Sequence, residues 1–402
     1  MPFDIALSGL NAAQTDLDVV ANNIANSNTN GFKSSRAEFA DVYAVSQNGI
    51  ASNATGKGAR VTSVSTQFSQ GDINFTENNL DLAVSGKGFF RLDTQGSIAY
   101  TRAGAFKIDK NGIVVNSTGA QLTGFLTDTN GNLTGALGTL QVAFADSNPQ
   151  ATATLKLGAN LDALETVPPA FNVSDPSTYN HSTSTTVFDS LGASHIATMF
   201  FRKDGVNAWE SFTYVDGVEV NPAGGNALAF NSSGAISGTP SFNTVSFNPG
   251  SGAANMTVDF NFANLTQFGG TFGVSELSQD GFPTGLLNSI DIDDSGVMFA
   301  RFSNGRSNTL GQVALANFPN TQGLQADGDT TFTESFASGA AIVGTPGSTN
   351  LGLIQSGALE QSNVDLTKEL VDLITAQRTF QANAKVISTA GDVTQTIINI
   401  GR

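Results

Sequence analysis

Both ends of this chain place apolar or small side chains at alternating intervals of three and four, and this pattern constrains the fold more than any other feature. In residues 3–27 the series is Phe3, Ala6, Leu10, Ala13, Leu17, Val20, Ile24 and Ser27, the seam of a heptad helix. At ~1.5 Å per residue it makes a rod of about 36 Å. The rod stops at Asn26-Ser27-Asn28-Thr29-Asn30-Gly31, where Asn and Gly favour a left-handed exit. At the other end Ser362 and Asp365 have capping-box spacing, and Leu366, Leu370, Leu373, Gln377, Phe380, Ala384 and Ile387 repeat the alternation. The stripe then shifts phase to Val386, Ala390, Val393, Ile397 and Ile400. With no Pro and a single Gly, Gly391, between 364 and 400, this helix extends about 55 Å at ~1.5 Å per residue, a length that predicts a coiled coil. Both helices are expected to bury their stripes only against other copies of the chain.

Between the ends the period falls to two. Turn signals recur at Asp93-Thr94-Gln95-Gly96, Asp109-Lys110-Asn111-Gly112, Asn116-Ser117-Thr118-Gly119 and Asp128-Thr129-Asn130-Gly131, separated by short apolar runs. The composition agrees, being 40% hydrophobic but only 13% charged, with 43 glycines; Ser, Thr, Asn and Gly in place of charge favour strands and turns. A second β region starts near Asp146-Ser147-Asn148-Pro149, contains Pro168-Pro169 and an aromatic strand around Trp209 to Tyr214, and ends near Asp280-Gly281-Phe282-Pro283. Strand-like runs at Gly296 to Phe302 and Gly311 to Phe318 then resume the first pattern. The expected fold is mainly β with terminal α-helices: two nested β domains plus a helical coiled-coil region. The helical assembly domain takes 1–30 with 364–402, and connecting segments take 31–72 with 358–363. An inner β domain takes 73–145 with 281–357, and an outer β domain takes 146–280.

The chemistry in the sequence is sparse. Two histidines, His181 and His195, and no cysteine leave no metal-ligand spacing and no disulfide, so no metal or cofactor is expected. Asp291, Asp293, Ser295 and Gly296 imitate a calcium loop, but its twelfth position is Phe302, so a turn is expected. Gly86-Lys87-Gly88 has Arg91 where a third glycine belongs, and Thr55-Gly56-Lys57 lacks the upstream glycine of a phosphate loop. A net charge of −16 with no polybasic stretch argues against a nucleic-acid partner. The start, Met1 to Asp18, is not a secretory signal, and no run is long and apolar enough for membrane insertion, so an extracellular protein of this kind requires a dedicated export route.

The stretch SGLNAAQTDLDVVANNIANSNTNGFKSSRAEF and the C-terminal SNVDLTKELVDLITAQRTFQANAKVI closely resemble the two terminal signatures of the bacterial flagellar rod and hook axial proteins. LDLAVSGKGFFRLDTQGSIAYTRAGAFKIDKNG is similar to that family's inner β domain, and LGQVALANFPNTQGL to its return segment. The length of the central insertion implies the hook branch over the distal rod. The resemblance implies a non-enzymatic subunit of the extracellular flagellum that polymerises into a flexible tube, a universal joint passing torque from rod to filament. Its implied partners are its own copies, the rod, the hook cap, the hook-filament junction proteins and the flagellar type III export apparatus. Assembly then falls to Leu10, Leu17, Val20, Asn22, Asn23, Ile24, Asn26, Leu366, Leu370, Leu373, Phe380 and Ile387, with the three asparagines expected to hydrogen-bond between neighbouring subunits or else to mark a fraying helix end. Phe39-Ala40-Asp41-Val42-Tyr43 has the spacing of a short export-gate motif. The rival from another class is a secreted β-rich carbohydrate-binding protein or glycosidase.

Overall fold

The computed structural model describes residues 2–42, 56–128, 131–142, 146–222, 224–348 and 350–400; Tyr43, Thr55, Thr129 and Asn130 of the motifs above lie outside them. The chain divides into two compact units. The first is Met1–Phe144, Ser289–Arg301 and Ser307–Arg402; the second is Ala145–Asn288 with Phe302–Arg306. Residues 281–288, which the sequence pattern groups with the return half, thus pack with the second unit.

The first unit carries the two helices, α1 (Pro2–Ala25) and α2 (Leu366–Ile400). Its largest sheet is built on the antiparallel strands Phe89–Thr94, Ser97–Thr101 and Gln121–Thr127, with Ser307–Val313, Leu315–Asn317 and Thr331–Thr333 returning to pair with them. The hairpin between the first two strands turns through Gln95 and Gly96, both at positive φ, the geometry that a two-residue turn of this twist requires. Phe68, Phe89, Tyr100, Phe318 and Phe332 close edge to face beneath this sheet, with centroids 4.8–6.2 Å apart. The segment expected to be a simple connection instead holds an antiparallel pair, Ser35–Asp41 with Ala59–Thr66.

The second unit has its own core between two sheets. Thr154–Asp162 is central to one, pairing in parallel with Asp259–Asn261 and Thr266–Phe268 and antiparallel with Gly273–Gln279. Ser194–Gly205 and Ala208–Val215 anchor the other. Alternation along each strand sends Leu155, Leu157, Ala159 and Leu161 inward to meet Ala197, Met199, Phe201 and Trp209 in one apolar cluster. The Trp209 indole N–H donates to Gln267 Oε1 at 3.2 Å, so its burial leaves no unpaired donor.

Candidate assembly interface

Helix α1 runs antiparallel to α2 within one chain: Phe3 lies beside Ala382–Thr394, Gly9 beside Asn383, and Asn23 beside Glu369. This corrects the expectation that the stripes are buried only between copies. Ala6, Ala13 and Val20 are buried and Leu10, Leu17 and Ile24 half-buried along this seam, facing buried Ala376 and half-buried Leu373, Phe380 and Ile387. The helices come close because the positions in contact are small. A Cβ on Gly9 would lie 2.8 Å from Asn383 Oδ1.

The register of α2 differs from the heptad reading. Half-buried Glu369, Asp372, Asn383 and Ala390 share the α1-facing side, while Leu366, Leu370 and Gln377 are exposed. The cap also sits later than Ser362. Asp365 Oδ1 accepts from the N–H groups of Thr367 and Lys368 at 2.9 and 3.2 Å, satisfying two orphan donors of the first turn.

Both helices are rooted in a polar node. Asn23, 1% exposed, donates to Ser35 O at 2.8 Å and to Glu369 Oε1 at 3.2 Å, and accepts from Ser35 N–H at 2.9 Å. It therefore ties α1, the following strand and α2 together inside the chain, which corrects its expected role between subunits. Asn26 donates to Asn22 O at 3.0 Å, bending back over the helix end, and the Asn22 side chain is exposed. Gly31 leaves α1 at φ +71° and donates to Glu360 O at 2.8 Å. A Cβ there would meet Ala103 N at 2.3 Å.

Below this turn Glu360 Oε1 accepts from Lys33 Nζ at 2.5 Å and from Gly71 N–H at 2.9 Å, and Oε2 accepts from Arg102 Nη1 at 3.1 Å. Side-chain exposure is 0% for Lys33 and Glu360 and 6% for Arg102. Burial pushes the Lys33 ammonium and the Arg102 guanidinium below their ordinary values, and Glu360 opposes that push. Lys33 also donates to Ser69 O at 2.7 Å and Arg102 Nη2 to Gly86 O at 2.7 Å, while the buried Arg102 Nε–H has no partner. Asn363, just ahead of α2, accepts from Ser34 N–H at 2.7 Å and donates to Gln67 O at 2.7 Å. Heptad reasoning misses Lys33, Arg102, Glu360 and Asn363; their one sequence signal is charge or amide inside otherwise apolar or small-residue runs.

The fixed root leaves apolar surface uncovered. Leu366, Leu370, Val371 and Ile374 are exposed on the N-terminal half of α2, and Val386, Val393 and Ile397 on its C-terminal half. Phe3, Val386, Ala390 and Val393 line an open groove of about 700 Å³ where α2 outruns α1. At ~25 cal/mol per Å² such area favours association strongly.

His195 bridges Asp216 at 2.6 Å and Asp189 at 3.4 Å, and His181 stacks on Phe272 with centroids 4.4 Å apart. Asp293 Oδ1 accepts from Ser295 Oγ and Val297 N–H, so the calcium-like run is a turn. Among the described residues no group of three or more His, Asp or Glu side chains could hold a metal, and no helix is long and apolar enough to cross a membrane.

Comparison with known proteins covers the same segments. Residues 3–33 match the family described as flagella basal body rod protein, 83–152 the flagellar hook protein FlgE/F/G D1 domain, 160–282 the flagellar basal body protein FlaE D2 domain, and 355–400 the flagellar basal body rod FlgEFG protein C-terminal. The flagellar hook protein FlgE of Escherichia coli is 39% identical over 416 residues, covering 100% of both chains. That of Borreliella burgdorferi is 33% identical over 436 residues, covering 98% of both. The crystal structure of Helicobacter pylori flagellar hook protein FlgE2 shares the fold, with a TM-score of 0.55 at 14% identity over 72% of this chain and 100% of that one.

Proposed function

The chain belongs to the flagellar hook protein FlgE family, and from that premise we propose that α1 and α2 are the elements through which this hook subunit polymerises. The hook is part of the extracellular flagellum, and the polymer is built of many copies of one chain. The observation that carries the proposal is the rooted helix pair whose outer faces, Leu366, Leu370, Val371 and Ile374 on one half and Val386, Val393 and Ile397 on the other, stay uncovered within the chain. Burying each large side chain is worth roughly 1.5–3 kcal/mol, and contacts that do not close on themselves grow into a helical tube.

In this reading the helices make the permanent contacts and the β units supply Ser-, Thr-, Asn- and Gly-rich surfaces that exchange with water at little cost. The tube bends yet resists twist, and passes torque from rod to filament. The role is structural and includes no catalytic step or cofactor. The rod, the hook cap, the hook-filament junction proteins and the type III export apparatus are the remaining partners. Leu370→Asp and Val393→Asp, each placing a charge on an uncovered face of α2, are expected to abolish polymerisation while the far-ultraviolet β signal of the monomer persists. Polymers of normal length from both variants would overturn the reading.

A further inference from the structure

Phe336 is more exposed than any other large apolar side chain among the described residues, at 106% of the reference value. Scattered exposed apolar residues are ordinary on protein surfaces. What sets Phe336 apart is the backbone that holds it. Ser335 Oγ donates to Gly323 O at 2.6 Å and accepts from Ala337 N–H at 3.1 Å. The wholly buried Ser338 donates from Oγ to Ser335 O at 2.8 Å and accepts from Ser335 N–H at 2.9 Å. Asn320 adds a bond from Nδ2 to Ala337 O at 2.9 Å. The packing beneath is tight enough that a Cβ on Gly323 would lie 2.3 Å from Ser338 N. The ring is therefore displayed on a clamped turn whose ordering cost is already met before any partner arrives.

Hydrogen bonds also link the turn to the helix roots. Gln322 Nε2 donates to Thr66 O at 3.0 Å, Thr66 pairs with Ser35, and Ser35 is gripped by Asn23 of α1. Residues 321–340 contain three carboxylates and no Lys or Arg, a surface repelled by anionic lipid headgroups and nucleic acid. We propose that Phe336 is an aromatic anchor that inserts into a second copy of this chain, making a contact between β units separate from the helical seam. This rests on the polymerising role proposed above.

The test uses the full chain. Phe336→Ser is expected to leave monomer circular dichroism and melting temperature unchanged and to raise the critical concentration for polymerisation about 30-fold, the loss of one interface hot spot. p-Benzoylphenylalanine placed at position 336 is expected to give, on irradiation of the polymer, covalent dimers of the chain and none from monomer. Phe336→Ser that polymerises at the wild-type critical concentration overturns the proposal, as does cross-linking in isolated flagella only to a different protein. Polymerisation of the wild type in the same buffer keeps the two readings apart: normal wild-type tubes with an unaffected variant sink the anchor alone, whereas a wild type that never polymerises withdraws both.

Discussion

Glu360→Gln removes one charge from the node that roots both helices. In the native chain Glu360 accepts from Lys33, Arg102 and Gly71 N–H, with side-chain exposures of 0%, 0% and 6% for Glu360, Lys33 and Arg102. The amide keeps the shape and can still accept from Gly71, so the loss isolates the charge. Two buried cations then lack a counter-charge, and breaking a buried pair costs about 3–5 kcal/mol because solvation lost on folding is no longer offset. For a unit of this size about 2–4 °C accompanies each kcal/mol, so melting of the first unit should fall by about 6–20 °C. Thermal melts followed by circular dichroism measure this, with Glu38→Gln as control. Glu38 faces exposed Arg36 at 3.2 Å, and its loss should leave the melt unchanged. A Glu360→Gln loss below about 1 kcal/mol would refute the reasoning, since Lys33 and Arg102 would then be adequately held by the carbonyls of Ser69 and Gly86.

Gly31→Ala should destabilise the first unit by about 2 kcal/mol or more, measured by urea unfolding, because left-handed backbone is added to a Cβ clash. Burial raises the Asp16 carboxyl, with Asp372 adding to it; burial likewise raises Glu369 against the hydrogen bond from Asn23. The folded helix pair therefore binds protons more tightly than the unfolded chain, and the contribution of these two groups to its stability is full below the ordinary carboxylate range and lost as pH rises through the raised values. Asp16→Asn should flatten that dependence and stabilise the pair at pH 7, read by helical ellipticity on heating. In the second unit burial pulls His195 down, but hydrogen bonds to Asp216 and Asp189 leave it raised above 6.5. Its contribution is full below pH 6.5 and disappears as pH rises through the raised value, so His195→Asn should flatten the melting profile of that unit across this range.

The helices were legible because their pattern is local. The 3,4 spacing from Phe3 to Ser27 marks α1 to within two residues, and the run lacking Pro marks α2. The face that α2 turns toward α1 was legible only in part: Leu373, Phe380 and Ile387 of the heptad stripe lie on it, but Leu366 and Leu370 do not, since the pattern selects large apolar residues whereas close approach selects Gly9 and Ala376. Uncovered leucines are what a chain that pairs with itself twice would show, once internally and once with its copies. The node was hidden for a different reason. Lys33 and Glu360 meet across the whole length of the chain, and no periodicity reports a contact of that kind. Asn23 illustrates the same limit, because its poor helix propensity is visible while the Ser35 backbone it satisfies is not.

The central claim is that α1 and α2 carry the permanent contacts of the polymer. Electron cryomicroscopy of tubes grown from the purified chain tests it directly. The account predicts that α1 and α2 of successive copies pack against one another around the tube axis, with Leu366, Leu370, Ile374, Val386 and Val393 buried between copies. Tubes held together by β contacts alone, with both helices loose or solvated along these faces, would contradict it.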